Sequence, residues 1–113
     1  MHELGLCDAL LKKVDSIVKE SDLEGINSIT LQIGNLSGVI EDYMVDCWNA
    51  VTDGTDYAGC EMKTVTLRGE ARCIDCDTVF EADLDSLVCP ACGSEKLIPI
   101  SGRDIVILEI EGF

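Results

Sequence analysis

The chain has a single histidine, His2. Zinc proteases, Ser-His-Asp hydrolases and Cys-His nucleophiles all need an imidazole held inside a constructed site. One histidine at the second position excludes them, and no general base is visible beyond ordinary carboxylates. Cationic side chains are also scarce, with 8 Lys and Arg against 22 Asp and Glu and a formal charge of -14. Non-specific binding to phosphate backbones works by displacing counterions with Lys and Arg, so no nucleic-acid partner is expected. The same sign suits solubility, cationic partners and metal ions. No apolar run approaches the length that spans a bilayer. The start, Met1-His2-Glu3-Leu4, has no basic region and no apolar stretch of a signal peptide. No membrane association is expected, and the expected setting is cytoplasmic.

What the chain does have is apolar content and cysteine. Hydrophobic residues make up 47% of its 113 residues, too many for a disordered chain. That length suffices for one compact core, or for a core plus a small stapled lobe. The seven cysteines are an odd count, whereas a secreted disulfide framework normally uses an even one. Four of them fall in two C-x-x-C pairs. With no signal peptide visible, that spacing reads as a reduced, metal-bound cluster.

Hydrophobic periodicity orders the chain as helix, strand, helix, strand, metal lobe, strand. Cys7, Leu10, Leu11, Val14, Ile17 and Val18 recur at helical spacing over residues 4–20. Asp8 with Lys12 and Asp15 with Lys19 stand four apart in the favourable order. The segment 21–25 ends this helix. Ile29, Leu31 and Ile33 alternate with polar residues as in a half-buried strand, and residues 34–38 form a turn. A second helical stripe runs through Ile40, Tyr43, Met44, Cys47, Trp48 and Val51. After a loop over 52–59, residues 62–67 read as a strand. The cysteine lobe covers about 70–99, inserted before a final strand over 105–110. Cys7, Cys47 and Cys60 are expected to be structural, the first two as small core residues on apolar helix faces.

The lobe's motif is Cys73-Ile74-Asp75-Cys76, twelve residues, then Cys89-Pro90-Ala91-Cys92-Gly93. Each C-x-x-C turn points two sulfurs at one centre, and two turns close a tetrahedron with Zn–S bonds of about 2.3 Å. Gly93 suits a positive-φ turn. The lobe's own apolar residues are mainly Ile74, Val79, Phe80, Leu84, Leu87 and Val88, too few to fold it without metal, so binding becomes folding free energy. Four thiolates leave no open position for hydrolytic chemistry. A pair of disulfides and a rubredoxin-like iron site are the alternatives. From Glu70 to Lys96, seven carboxylates face only Arg72 and Lys96, which argues against a nucleic-acid ribbon. Such a surface can instead attract a basic partner or concentrate cations.

The ordinary expectation for His2 is a frayed, solvated terminus. Yet the α-amine of Met1, the backbone nitrogen of His2 and its imidazole can form adjacent chelate rings on one metal, with the Glu3 amide nitrogen as a fourth donor. A planar nitrogen set suits Ni(II) or Cu(II) better than Zn(II). Binding releases protons, so affinity should fall with pH. Glu3 can orient the imidazole through a hydrogen bond.

These features together resemble the hydrogenase maturation nickel chaperones of the HypA/HybF family. The resemblance rests on Met1-His2-Glu3-Leu4, the Gly34-x-Leu36-Ser37-Gly38 turn, the Thr52-x-Gly54-Thr55 segment and the inserted Cys73/Cys76/Cys89/Cys92 lobe, and it covers essentially the whole chain. It implies an α+β fold: a small three-stranded mixed sheet with two helices, plus the inserted zinc-ribbon-like lobe. Residues 1–69 and 100–113 would form the nickel-binding α/β domain and 70–99 the zinc-binding domain. It further implies labile Ni(II) at His2 with Met1 and Glu3, structural Zn(II) at the four cysteines, no catalysis, and two partners: the GTPase HypB and the large subunit of [NiFe]-hydrogenase. Some relatives also serve urease. Two departures stand out. Gly5 replaces a frequent Ser, and no histidine flanks the cysteine pairs, so a zinc site that exchanges cysteine for histidine is not available. The competing functions are a zinc-ribbon adaptor that binds protein only, with His2 incidental, and a rubredoxin-like electron carrier.

Overall fold

Apolar residues at three- and four-residue spacing build α1 (His2–Glu20). In the computed structural model, residues 3–113 are described in full and His2 by its backbone. Cys7, Leu10, Val14 and Val18 are buried, and Leu11 and Ile17 half-buried. Of the two charge pairs expected along the helix, Asp15–Lys19 forms at 2.8 Å; Asp8 and Lys12 make no ion pair among the described residues. The helix stops at Asp22, which takes the left-handed conformation at φ 58. There the Leu23 amide reaches back to the Val18 carbonyl and the Asp22 amide to that of Lys19, satisfying two carbonyls the helix leaves open.

β1 (Ile26–Gly34) follows and buries Ile29, Leu31 and Ile33, as their alternation predicts. α2 (Glu41–Thr52) buries Met44, Trp48 and Thr52, with Cys47 and Val51 half-buried. Two members of the expected stripe lie outside it. Ile40 precedes the helix, and Tyr43 sits one residue from Met44, about 100° round the axis; both are exposed. Trp48 donates its ring N–H to the Cys60 carbonyl at 3.0 Å, joining α2 to the start of β2 (Glu61–Leu67). The loop between them is held against α1 by the Tyr57 hydroxyl, which donates to Asp15 at 2.6 Å.

The cysteine segment carries a sheet of its own: β3 (Glu70–Cys73), β4 (Val79–Glu81) and β5 (Leu97–Pro99), all antiparallel, in the order β4-β3-β5. Ala71 stands opposite Phe80 on one side and Pro99 on the other. The last strand, β6 (Ile105–Gly112), completes a mixed sheet in the order β2-β1-β6. The chain divides into two compact units. One comprises residues 1–31, 39–64 and 107–113; the other comprises 32–38 and 65–106. Among the described residues no helix is long and apolar enough to cross a membrane.

Within the second unit three backbones meet at glycines. A Cβ on Gly34 would lie 2.0 Å from the Gly102 carbonyl oxygen, and one on Gly69 would lie 2.4 Å from that of Ser101. Gly102 has φ +89, and its Cβ would lie 2.4 Å from Gly69 Cα. Asn35 ties the crossing together. Its side-chain carbonyl accepts from the Gly69 amide at 2.7 Å and its side-chain amide donates to the Ala82 carbonyl at 2.8 Å. Its backbone amide donates to Leu67, and the Leu36 amide donates to Gly102. Asn35→Ala leaves the Gly69 amide and the Ala82 carbonyl without these partners and should cost about 1–3 kcal/mol. Gly38→Ala, at positive φ but with open space around it, should cost about 1–2 kcal/mol, and Gly102→Ala clearly more. Denaturant midpoints of the three variants measure this. Equal losses at positions 38 and 102 would show that crowding at the crossing is not the constraint.

Candidate metal centre

The two C-x-x-C turns have the same backbone geometry. In the first, the Cys73 amide donates to the Thr78 carbonyl and the Asp77 amide to the Cys73 carbonyl. In the second, the Cys89 amide donates to Ser94 and the Gly93 amide to Cys89, with equivalent spacing. Each turn closes through one residue at positive φ, Asp77 at 65 and Gly93 at 76. The sequence marks the second of these by its glycine. In the first, an aspartate takes the left-handed conformation, which short polar side chains tolerate.

The turns bring four sulfurs together. All four Sγ atoms lie within 4.8 Å of one another, with Cys73–Cys92 at 3.6 Å and Cys76–Cys89 at 3.5 Å. A tetrahedron with metal–sulfur bonds of 2.3 Å has edges of about 3.8 Å. The cluster therefore has the size of a four-thiolate metal site. None of the seven cysteines is in a disulfide. Cys73 and Cys89 are buried, while Cys76 and Cys92 face outward.

The electrostatics fit a cation. The Thr78 hydroxyl lies 3.1 Å from Cys76 Sγ, and together with the Thr78 amide and the neighbouring thiols it lowers Cys76 to about 6. The Ser94 amide favours the Cys92 thiolate in the same way, but the sulfurs of Cys73 and Cys76, burial and Cys89 outweigh it and push Cys92 up to about 12. One thiol ionises readily and its neighbour keeps its proton, because an S–H donates hydrogen bonds to the sulfurs beside it. A soft divalent ion removes that conflict by binding all four thiolates. Four protein donors would close the coordination sphere, so the arrangement could hold a metal without offering it a substrate position.

The lobe's burial explains why it needs such a site. Ile74, Val79, Leu84, Leu87 and Val88 are all exposed, although the sequence offers them as the lobe's apolar content. What is buried is small: Ala71, Cys73, Ala82 and Cys89. A metal ion bonded to the four sulfurs would replace the side-chain packing that this segment lacks.

The other cysteines play no part in the cluster. Burial, then the neighbouring Cys47 and the carboxylates of Asp8 and Glu3, push the Cys7 thiol up to about 12, and its S–H points at the Met44 carbonyl at 3.4 Å. Burial likewise raises Cys60, partly offset by Trp48. Both are core thiols. Met1 and the His2 side chain, singled out by the sequence as nickel donors, lie outside the described residues. Glu3, the third member, is buried at 8% exposure, and its carboxylate accepts a hydrogen bond from the Ile40 amide at 3.3 Å. This contact joins the first turn of α1 to the residue preceding α2. Nothing in the local sequence announces it, because the partners are thirty-seven residues apart.

Comparison with known proteins agrees with this architecture. The model of the family described as "Hydrogenase/urease nickel incorporation, metallochaperone, hypA" matches residues 1–112. The hydrogenase maturation factor HypA of Albidiferax ferrireducens is 32% identical over 112 residues, covering 98% of each chain. The hydrogenase maturation factor HybF of Escherichia coli K12 is 31% identical over 111 residues, again covering 98% of each. The solution structure of the nickel metallochaperone HypA from Helicobacter pylori superposes with a TM-score of 0.71 at 24% identity, over 99% of this chain and 97% of that one, a likeness of fold. A chain matched from its first residue to its penultimate one, with the family's helices, sheet and four-cysteine cluster all in place, belongs to the HypA family of nickel-incorporation metallochaperones.

Proposed function

We propose that this chain binds Ni(II) through the Met1 amine, the backbone and imidazole nitrogens of His2 and the neighbourhood of Glu3, and delivers it for maturation of [NiFe]-hydrogenase. In this reading nickel is cargo and the chain performs no catalysis. Residues 1–69 and 100–113 serve nickel. Residues 70–99 carry a permanent Zn(II) on Cys73, Cys76, Cys89 and Cys92. The work takes place in the cytoplasm, with the GTPase HypB and the hydrogenase large subunit as partners and no role for nucleic acid.

The observation that carries this reading is the burial of Glu3. A frayed terminus was the ordinary expectation for His2, but the residue beside it is buried and bonded to the Ile40 amide. That anchoring favours a preorganised donor set over a loose one. The helix start adds to it. The first amides of an α-helix have no intrahelical acceptor, so using the His2 nitrogen as a ligand breaks no helical hydrogen bond. A deprotonated amide there is also favoured by the positive end of the helix dipole. Transfer then proceeds by ligand exchange, and protonation of the imidazole, near 6.5 when unperturbed, promotes release. For the four cysteines, zinc suits the geometry and needs no open position.

Nickel titration of the untagged, zinc-loaded chain should give one tight site, weakened at least a hundredfold both by His2→Ala and by one extra residue placed before Met1. Unchanged affinity in both variants would remove the terminal chelate and leave the adaptor reading, which predicts one zinc per chain and no tight second metal. Affinity of the parent chain should fall as pH drops from 8 to 6, because binding displaces protons from the amide and imidazole nitrogens. For the second metal, elemental analysis should find one zinc per chain. Cys73→Ser should lower that content, and chelation should abolish hydrogen-exchange protection of the β3, β4 and β5 amides. Retained protection after complete zinc removal would contradict the structural role.

A further inference from the structure

The second unit has an apolar groove of about 280 Å³ that the metal centre does not use. Leu36, Leu84, Leu87 and Leu97 line it, together with Ala71 and Ala82, which are buried at 3% and 1%. Small side chains at those two positions leave room between the leucines. Leu84 and Leu87 remain 48% and 44% exposed, so the lobe's own folding does not consume them. They are nonetheless held in place. Asp83 shapes their loop by accepting the Ser86 amide on its carbonyl at 3.1 Å and the Asp85 amide on its carboxylate at 3.1 Å. Apolar side chains displayed in this way at a concave surface are characteristic of an interaction site.

The charges around the groove select its occupant. Glu95 and Arg103 line it, and Asp83 and Asp85 flank Leu84. Of the nearby cations, Arg68 lies 3.8 Å from Glu81 and 3.9 Å from Asp83, and Arg72 pairs with Asp77 at 2.6 Å, whereas Arg103 at the groove and Lys96 beside Glu95 form no ion pair among the described residues. Asp85 and Glu95 form no ion pair among the described residues. A second copy of a chain with formal charge -14 would meet repulsion here, as would an anionic lipid surface.

We propose that this groove docks a short segment of a partner protein. Aliphatic side chains of that segment enter between Leu84, Leu87 and Leu97, and its flanking Lys or Arg residues meet Asp85 and Glu95. This goes beyond the nickel reading and does not depend on it, since no residue of the groove belongs to the N-terminal donor set.

The test uses the metal-loaded full chain and three labelled peptides followed by fluorescence anisotropy. The first has two leucines separated by two serines and flanked by paired lysines. The second replaces the lysines with glutamates, and the third replaces the leucines with serines. The lysine–leucine peptide should bind at least tenfold more tightly than either control, and its affinity should weaken as salt is raised. Leu84→Ser with Leu87→Ser should reduce that binding at least tenfold while metal content and circular dichroism stay unchanged. Asp85→Lys with Glu95→Lys should shift the preference towards the glutamate-flanked peptide. His2→Ala should leave all of this unaltered, so loss of nickel binding and loss of groove binding are separately visible. Equal affinity for all three peptides, no binding at millimolar concentration, or undiminished binding by the Leu84/Leu87 variant would overturn the proposal. So would concentration-dependent self-association in sedimentation that the Leu84/Leu87 variant abolishes, because the occupant would then be a second copy.

Discussion

Thiolates drawn within a few ångströms of one another repel, and thiols at the same distances gain only weak hydrogen bonds. The second unit nevertheless places four sulfurs within 4.8 Å and surrounds them with little else. Between residues 70 and 99 the buried residues are two alanines and two of the cysteines themselves. A cation among the sulfurs would stabilise a cluster of this kind, and the strands on either side would then draw their order from that bond set. The two matching backbone turns distribute the task. Each points two sulfurs at one centre and directs a main-chain amide or a side-chain hydroxyl at the outer one.

Relieving the lobe of packing has a consequence at its surface. Large apolar side chains that another small domain would spend on its interior stay outside. Leu84 and Leu87 are held at a groove whose lining carries Glu95 and Arg103, in a loop fixed by Asp83. Metal bonds at the four cysteines would permit a segment of this size to combine a defined fold with exposed apolar side chains. The glycine crossing contributes to the same economy of space. Gly34, Gly69 and Gly102 let three backbones approach more closely than any side chain allows, and Asn35 satisfies the polar groups brought together there.

In the first unit the governing contacts are conventional. Cys7, Leu10, Val14 and Val18 of α1 are buried along with Met44 and Trp48 of α2, and the Cys7 thiol reaches the Met44 carbonyl. Trp48 adds its ring N–H to the Cys60 carbonyl. The less expected element is a carboxylate, Glu3, buried at the very start of α1 and bonded to the residue that precedes α2. A buried carboxylate is kept where a hydrogen bond answers it, and here the bond ties the first turn of α1 to the residue that precedes α2.

Much of this was legible without coordinates, for identifiable reasons. The helical period over 4–20 and the alternation at Ile29, Leu31 and Ile33 report burial directly, because burial sets those periods. The spacing of Cys73, Cys76, Cys89 and Cys92 reports a shared centre, because a C-x-x-C turn fixes where its two sulfurs point. Three things were decided only by tertiary structure. Strands of three and four residues are too short to display alternation, so the lobe's own sheet was invisible in its sequence. The helical period admits Tyr43 to the core stripe, but packing centres that stripe on Met44, Trp48 and Thr52 and leaves Tyr43 exposed. The contacts of Glu3 with Ile40, and of Asn35 with Gly69 and Ala82, join residues more than thirty positions apart. No local pattern encodes such pairs, because their geometry exists only once the separate elements have packed.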